Sequence, residues 1–278
     1  METFDWQGRR IAWDRAGSGP PVVFCHGTPW SSWLWRPFAE ALSGDFTVYL
    51  WDMPGYGRSS KDAGHEVGFD VQAEAFRALL AHWELDRPHV VAHDYGGVVS
   101  LRTNLVHGVP YASLLLVDAV AIPPSGSPFF QLVKEHPDVL ARVPPYIHEA
   151  LVRAYVANAS HRELREADVD ELAAPWLGEE GQPALYRQIA AYDESYLAEI
   201  EGLLDRVDLP VHVLWGTEDT WIPIGIGERL AAGIPGAKFT PIRDAGHLVQ
   251  LDAPVALATE LRSWLTSVSP GLPGRVER

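Results

Sequence analysis

Short apolar runs alternate with longer amphipathic stretches along most of this chain. Continuous apolar runs suited to strands buried on both faces occur at Val22–Cys25, Thr47–Asp52, His89–Ala92, Ser113–Asp118, Val211–Trp215 and Ala237–Ile242. Helix-like runs lie between them, among them one opening at Gly96 and ending near His107 and Gly108, and a terminal one over Pro254–Val268. This alternation predicts an α/β fold with a mostly parallel sheet flanked by helices. Met1–Asp14 reads as a hairpin turning at Gln7 and Gly8. One interval breaks the rhythm. From Ile122 to about Asp205 there is no strand pattern, many prolines and a cluster of aromatics, which predicts a helical cap inserted into the sheet unit. The expected organisation is a core over 1–121, a cap over 122–205, the rest of the core over 206–269 and a loose tail over 270–278, where Pro, Gly and charge leave little to bury.

Composition narrows the partners. At 278 residues and 47% hydrophobic content the chain can bury a large core. Its 22 Lys and Arg against 37 Asp and Glu give a net charge of −15, which repels a nucleic-acid backbone and an anionic membrane surface. The start, METFDWQGRR, lacks the apolar core of a signal peptide, and no window approaches the ~20 apolar residues of a membrane span. Cys25 stands alone and cannot form an internal disulfide, so a cytoplasmic location is expected. The eleven histidines show no metal-binding spacing, and neither metal nor cofactor is expected.

The stretch AHDYGGVV, Ala92–Val99, carries the strongest chemical signal. It joins a buried strand to a helix through a turn that would hold Asp94 in a strained, exposed conformation, a nucleophile elbow. Strand and helix nearly touch at such a turn, so only small side chains fit two positions to either side. Ala92 and Gly96 meet that demand. The plainer reading is a Gly-rich loop with an N-cap aspartate.

The ordered set HGTP (His26–Pro29), DMPGYGRS (Asp52–Ser59), HDYGG (His93–Gly97), GTED (Gly216–Asp219) and DAGH (Asp244–His247) resembles the α/β-hydrolase superfamily over nearly the whole chain. Aspartate at the elbow resembles the branch that holds epoxide hydrolases, haloalkane dehalogenases and fluoroacetate dehalogenases. The resemblance implies a nucleophile, acid and histidine in that chain order, here Asp94, Asp219 and His247, with Asp118 as the rival acid. It implies backbone N–H donors at Thr28 and Tyr95 for an oxyanion. His26 and His93 are expected to brace these loops.

An aspartate, with a reference pKa near ~3.9, needs no base to become a nucleophile. Its attack on a saturated carbon leaves an alkyl ester, and a histidine-activated water then opens that ester at its carbonyl carbon. The branches differ in what receives the leaving group. Haloalkane dehalogenases of this type carry Asn and Trp where this chain has Thr28 and Tyr95, and fluoroacetate dehalogenases carry Arg after the nucleophile. Epoxide hydrolases use cap tyrosines, and ALYRQ, Ala184–Gln188, resembles the stretch that bears one of them. Tyr186 is therefore the expected donor, with Tyr146 its first-choice partner and Tyr155 and Tyr192 next. The expectation is a cofactor-independent hydrolase opening a small apolar or aromatic epoxide to a diol through a covalent Asp94 intermediate. Alternatives are a haloalkane or haloacid dehalogenase, an ester or lactone hydrolase, and a ligand-binding receptor of the same fold. A homodimer is compatible with the sequence.

Overall fold

The structure, a computed structural model, describes residues 1–269, so the tail expected at 270–278 lies outside the described residues. The apolar runs form β1 (Glu2–Trp6), β2 (Arg9–Gly17), β3 (Pro21–Cys25), β4 (Thr47–Trp51), β5 (His89–His93), β6 (Ser113–Val117), β7 (Val211–Gly216) and β8 (Lys238–Ile242). They join in one sheet in the order β1-β2-β4-β3-β5-β6-β7-β8. The β1–β2 and β2–β4 pairings are antiparallel, and the remaining pairings are parallel. At the hairpin tip Gln7 and Gly8 have φ of 48° and 76°, as a two-residue turn needs if it is to follow the twist of its strands.

Helices α1 (Arg36–Leu42), α2 (Phe69–His82) and α3 (Tyr95–Leu105) cover the first half of the sheet. Between β6 and β7 the chain is helical, with α4 (Pro128–Glu135), α5 (Pro137–Leu140), α6 (Pro145–Ala157), α7 (Glu166–Ala173), α8 (Gly178–Ala190) and α9 (Ser195–Glu201). Helices α10 (Ile224–Gly233), α11 (Val249–Asp252) and α12 (Pro254–Val268) complete the second half. Alternation along β3 sorts its side chains to two sides. Val22 and Phe24 join Trp35, Phe38, Leu257 and Trp264, while Val23 and Cys25 join Phe76, Leu79 and Val98. Each fully buried side chain of this size stabilises the fold by roughly 1.5–3 kcal/mol. Among the described residues no helix is long and apolar enough to cross a membrane.

The helical insert is fastened to the sheet unit by hydrogen bonds to backbone. Trp176 Nε1 donates to the Pro29 carbonyl at 2.6 Å, and Gln188 Nε2 to the Pro54 carbonyl at 3.2 Å. Asp252, buried at the end of α11, accepts from Ser160 Oγ, from the His161 N–H at 2.8 Å, from the Arg162 N–H at 3.2 Å and from the Gly246 N–H at 2.7 Å. One carboxylate thus joins the insert to the loop that carries His247.

The two close approaches make predictions. A Cβ on Gly96 would lie 2.7 Å from the Cys25 carbonyl and 2.9 Å from the His26 carbonyl, both backbone atoms that cannot move aside. Gly96→Ala should lower stability by about 1–3 kcal/mol in urea unfolding, and a wild-type midpoint would mean that β3 and α3 can part without cost. Asp252→Ala removes the acceptor of the buried Gly246 amide and of the His161 amide, an expected loss of about 1–3 kcal/mol. Hydrogen exchange should quicken at both amides. Wild-type exchange there would show that the carboxylate does not hold the two segments together.

Candidate active site

Asp94 stands between β5 and α3 with φ 50° and ψ −121°, a conformation that costs a non-glycine residue about 1–3 kcal/mol. The turn is held there by its own carbonyl, which accepts from the Gly97 N–H at 2.8 Å and the Val120 N–H at 3.0 Å. Its side chain is thereby aimed across the end of β3, where Oδ1 accepts the Thr28 N–H at 2.6 Å. Gly27 makes this approach possible, since a Cβ there would fall 2.2 Å from Oδ1. The N–H of Tyr95, first residue of α3, has no intrahelical acceptor, and the N-terminal end of that helix favours negative charge beside it.

The other side of the carboxylate faces His247. The imidazole Nε2 is 3.3 Å from Asp94 Oδ2, and Nδ1 is 2.9 Å from Asp219 Oδ2. Asp219 is fixed in turn, its Oδ1 accepting the N–H groups of Trp221 at 2.8 Å and Ile222 at 2.9 Å. Asp94, Asp219 and His247 are all buried. Burial disfavours the imidazolium, but the carboxylates of Asp219 and Asp94 outweigh it and hold His247 well above the ordinary histidine pKa. His93 donates from Nε2 to the His247 carbonyl at 2.9 Å, and burial together with the nearby His247 charge pushes its pKa down to about 3. His26 accepts the Met53 N–H at 2.9 Å through Nε2, and its Nδ1 lies 2.8 Å from the Gly27 carbonyl. Both histidines brace backbone, as the sequence led one to expect.

Of the two candidate acids, Asp219 is the one hydrogen-bonded to the imidazole. Asp118 follows β6 with φ 40°, and its Oδ1 accepts the Gly216 N–H at 2.8 Å.

A tight cavity opens on Asp94. It is lined by Thr28, Tyr95, Phe130, Tyr155, Trp221 and the Ser125–Ser127 loop. Trp221 stacks at 5.1 Å on the His247 ring and at 4.6 Å on Tyr155, with its Nε1 donating to Asn158 Oδ1. The hydroxyls of Thr28 and Tyr95 are buried without a hydrogen-bond partner.

Two expected cavity residues are elsewhere, and that expectation is corrected. Tyr146 is 74% exposed on the first turn of α6, nine positions before Tyr155. Nine residues are two and a half helical turns, so the two rings lie on opposite faces and only Tyr155 reaches the cavity. Tyr186 is buried, but its hydroxyl bonds to His148 Nδ1 at 2.8 Å, while His148 Nε2 bonds to the Trp176 carbonyl at 2.9 Å. It belongs to a polar chain inside the insert. Tyr192 likewise spends its hydroxyl on the Ser125 carbonyl, at 3.2 Å. Sequence reasoning missed Trp221, which sits in the same loop as Asp219, and Asp252, which reads as an ordinary surface acid.

Comparison with known proteins agrees with this architecture. The chain is 41% identical to an alpha/beta hydrolase fold protein from Burkholderia ambifaria, with 94% of this chain and 97% of that one covered and a TM-score of 0.92. It is 26% identical over 275 residues to haloalkane dehalogenase 2 of Mycobacterium tuberculosis, covering 93% of this chain and 92% of that protein. A thermophilic esterase from Thermogutta terrifontis, 24% identical, covers 96% of this chain and 97% of its own at a TM-score of 0.77, a likeness of fold alone. Residues 20–254 match the alpha/beta hydrolase fold family, and the chain belongs to that family.

Proposed function

We propose that this protein is a hydrolase that displaces a leaving group from a saturated carbon of a small molecule through an ester on Asp94, with halogenated compounds as the first substrate class. The observation that carries this reading is the Thr28 N–H bonded to Asp94 Oδ1 at 2.6 Å. In acyl transfer from a serine, those backbone donors wait for an oxygen of the substrate. Here the enzyme's own carboxylate oxygen occupies one of them, the Thr28 N–H, which disfavours direct ester hydrolysis. The free oxygen, Oδ2, attacks carbon, and the carbon–halogen electron pair leaves with the halide. Oδ1 then becomes the carbonyl oxygen of the new ester, already beside the donors that its hydrolysis needs.

The charge on His247 fits the same order of events. While Asp94 is ionised, two carboxylates favour the imidazolium. Esterification cancels the charge of Asp94, so the imidazole more readily gives up its proton and becomes a base for water. That water attacks the ester carbonyl carbon, negative charge builds on Oδ1 against the N–H groups of Thr28 and Tyr95, and collapse returns Asp94 with release of an alcohol. The unpartnered hydroxyls of Thr28 and Tyr95 offer donors to a departing halide in place of side-chain N–H groups. The haloalkane dehalogenase relative supports a halogenated substrate, and the small cavity supports a short one.

Blocking the second step should trap the first. His247→Gln, incubated with short 1-haloalkanes, should release about one equivalent of halide per site and carry the alkyl group on the Asp94 peptide. Wild type in heavy-oxygen water should place label in the Asp94 carboxylate during a single turnover. Label confined to the alcohol product would rule out the ester intermediate.

One observation favours a second substrate class, epoxides. Tyr155 lines the cavity, and burial followed by the nearby Asp94 charge holds its phenol well above the ordinary pKa, so it stays a proton donor. On this reading it would take the role the sequence assigned to Tyr186. Tyr155→Phe should slow diol formation from an epoxide by about tenfold to a hundredfold while changing halide release less. Rates within about twofold of wild type on the best epoxide would reduce Tyr155 to packing.

A further inference from the structure

The buried end of the sheet holds more acid than the mechanism uses. Asp94, Asp118 and Asp219 are buried together with His247, and Asp118 is fully so. Three ionised carboxylates around one imidazolium would leave two uncompensated charges out of water, a costly arrangement. Counting donors shows which carboxyl is least fit to be charged. Asp219 receives two backbone N–H groups and the imidazole Nδ1. Asp94 receives the Thr28 N–H on one oxygen and faces His247 Nε2 with the other. Asp118 receives only the Gly216 N–H on Oδ1, and its Oδ2 is buried with no partner.

We infer that Asp118 is a neutral carboxylic acid whose proton is directed at Asp219, and that it positions Asp219 and limits the charge which Asp219 presents to His247. It is a positioning residue that acts through Asp219. Neutral, Asp118 has one acceptor oxygen for the Gly216 N–H and one O–H donor for its neighbour, so its polar atoms are matched. The charged groups near enough to act on it are Asp219 after β7 and His247 after β8. Burial, then the charge of Asp219, pushes its pKa well above the usual carboxylate range, in agreement with the donor count. The function proposed above gives this acid its significance, because it makes the Asp219–His247 pair the base.

The protonation state can be read without any substrate. In wild-type protein labelled with carbon-13 aspartate, infrared difference spectra at pH 8 should retain a carboxylic-acid C=O band, although exposed aspartates, with pKa near ~3.9, are ionised there. Asp118→Asn should abolish that band. Asparagine reproduces the acceptor and the donor of the neutral acid, so the His247 imidazole, followed by nitrogen-15 NMR, should titrate in this variant as in wild type. Asp118→Leu deletes the donor to Asp219 and should move the His247 titration upward. Stability gives an independent sign. A carboxyl whose folded pKa is raised binds more protons folded than unfolded, so wild type loses stability as pH rises above about 4, through the folded pKa. The melting temperature of Asp118→Asn should therefore gain on wild type over that range. A wild-type spectrum with no acid band at pH 8, or an Asn variant whose His247 pKa falls by roughly one to three units as loss of a neighbouring negative charge requires, would overturn the inference. Neither result depends on which substrate class the enzyme takes.

Discussion

The imidazole of His247, held between Asp94 and Asp219 with no solvent around it, is the interaction on which the rest of this site depends. Two carboxylates on opposite nitrogens supply the charge that burial alone would forbid. Geometry then has to be held to within a fraction of an ångström, since each contact weakens steeply with length. Much of the surrounding structure serves that end. Backbone N–H groups of Trp221 and Ile222 fix Asp219, Asp252 fixes Gly246, and His93 fixes the His247 carbonyl. The groups they anchor, Asp219 and His247, follow different strands, and the parallel sheet places the ends of those strands side by side.

The same arrangement explains what could be read from the sequence. Strands came through to within a residue or two because they are buried on both faces, which leaves a continuous apolar run: Ser113–Val117 and Val211–Gly216 have no exposed position. The terminal helix runs over Pro254–Val268, the span its pattern predicts, since Pro254 fixes its start and an apolar stripe defines its length. Asp94, Asp219 and His247 were legible because their glycine-bearing loops follow strands, where chain order and fold fix the meeting point. Their mutual geometry required the structure.

The tyrosines were not legible, and the reason lies in the helices. A helical period says which residues share a face but not what that face meets. Tyr146 and Tyr155 share α6, yet one is in solvent and the other in the cavity. Tyr186 is as buried as a catalytic donor should be, but its proton partner is His148, whose ring is itself anchored to Trp176. Burial raises the Tyr186 phenol to about 12, so the hydroxyl remains protonated and the His148 bond is a lasting one. Asp252 was invisible for a related reason, because three hydrogen bonds from the distant segment 160–162 and one from Gly246 turn an ordinary acid into an anchor.

Specificity in this molecule follows from how the insert meets the sheet. The aromatic side chains of the insert are mostly consumed in packing, as in the edge contact of Phe130 with Tyr192 at 6.1 Å and the stack of Tyr192 on Tyr95 of α3 at 6.2 Å. They close the space above Asp94 and leave it small. Polar groups that remain unpartnered there, the hydroxyls of Thr28 and Tyr95, are expensive to bury and gain most from a ligand that accepts hydrogen bonds as its bond to carbon breaks. Under the proposed function, a tight cavity with O–H donors opposite an aspartate would discriminate by size first and by the hydrogen-bond appetite of the leaving atom second. On that reading the order would favour a compact leaving group on a short carbon chain.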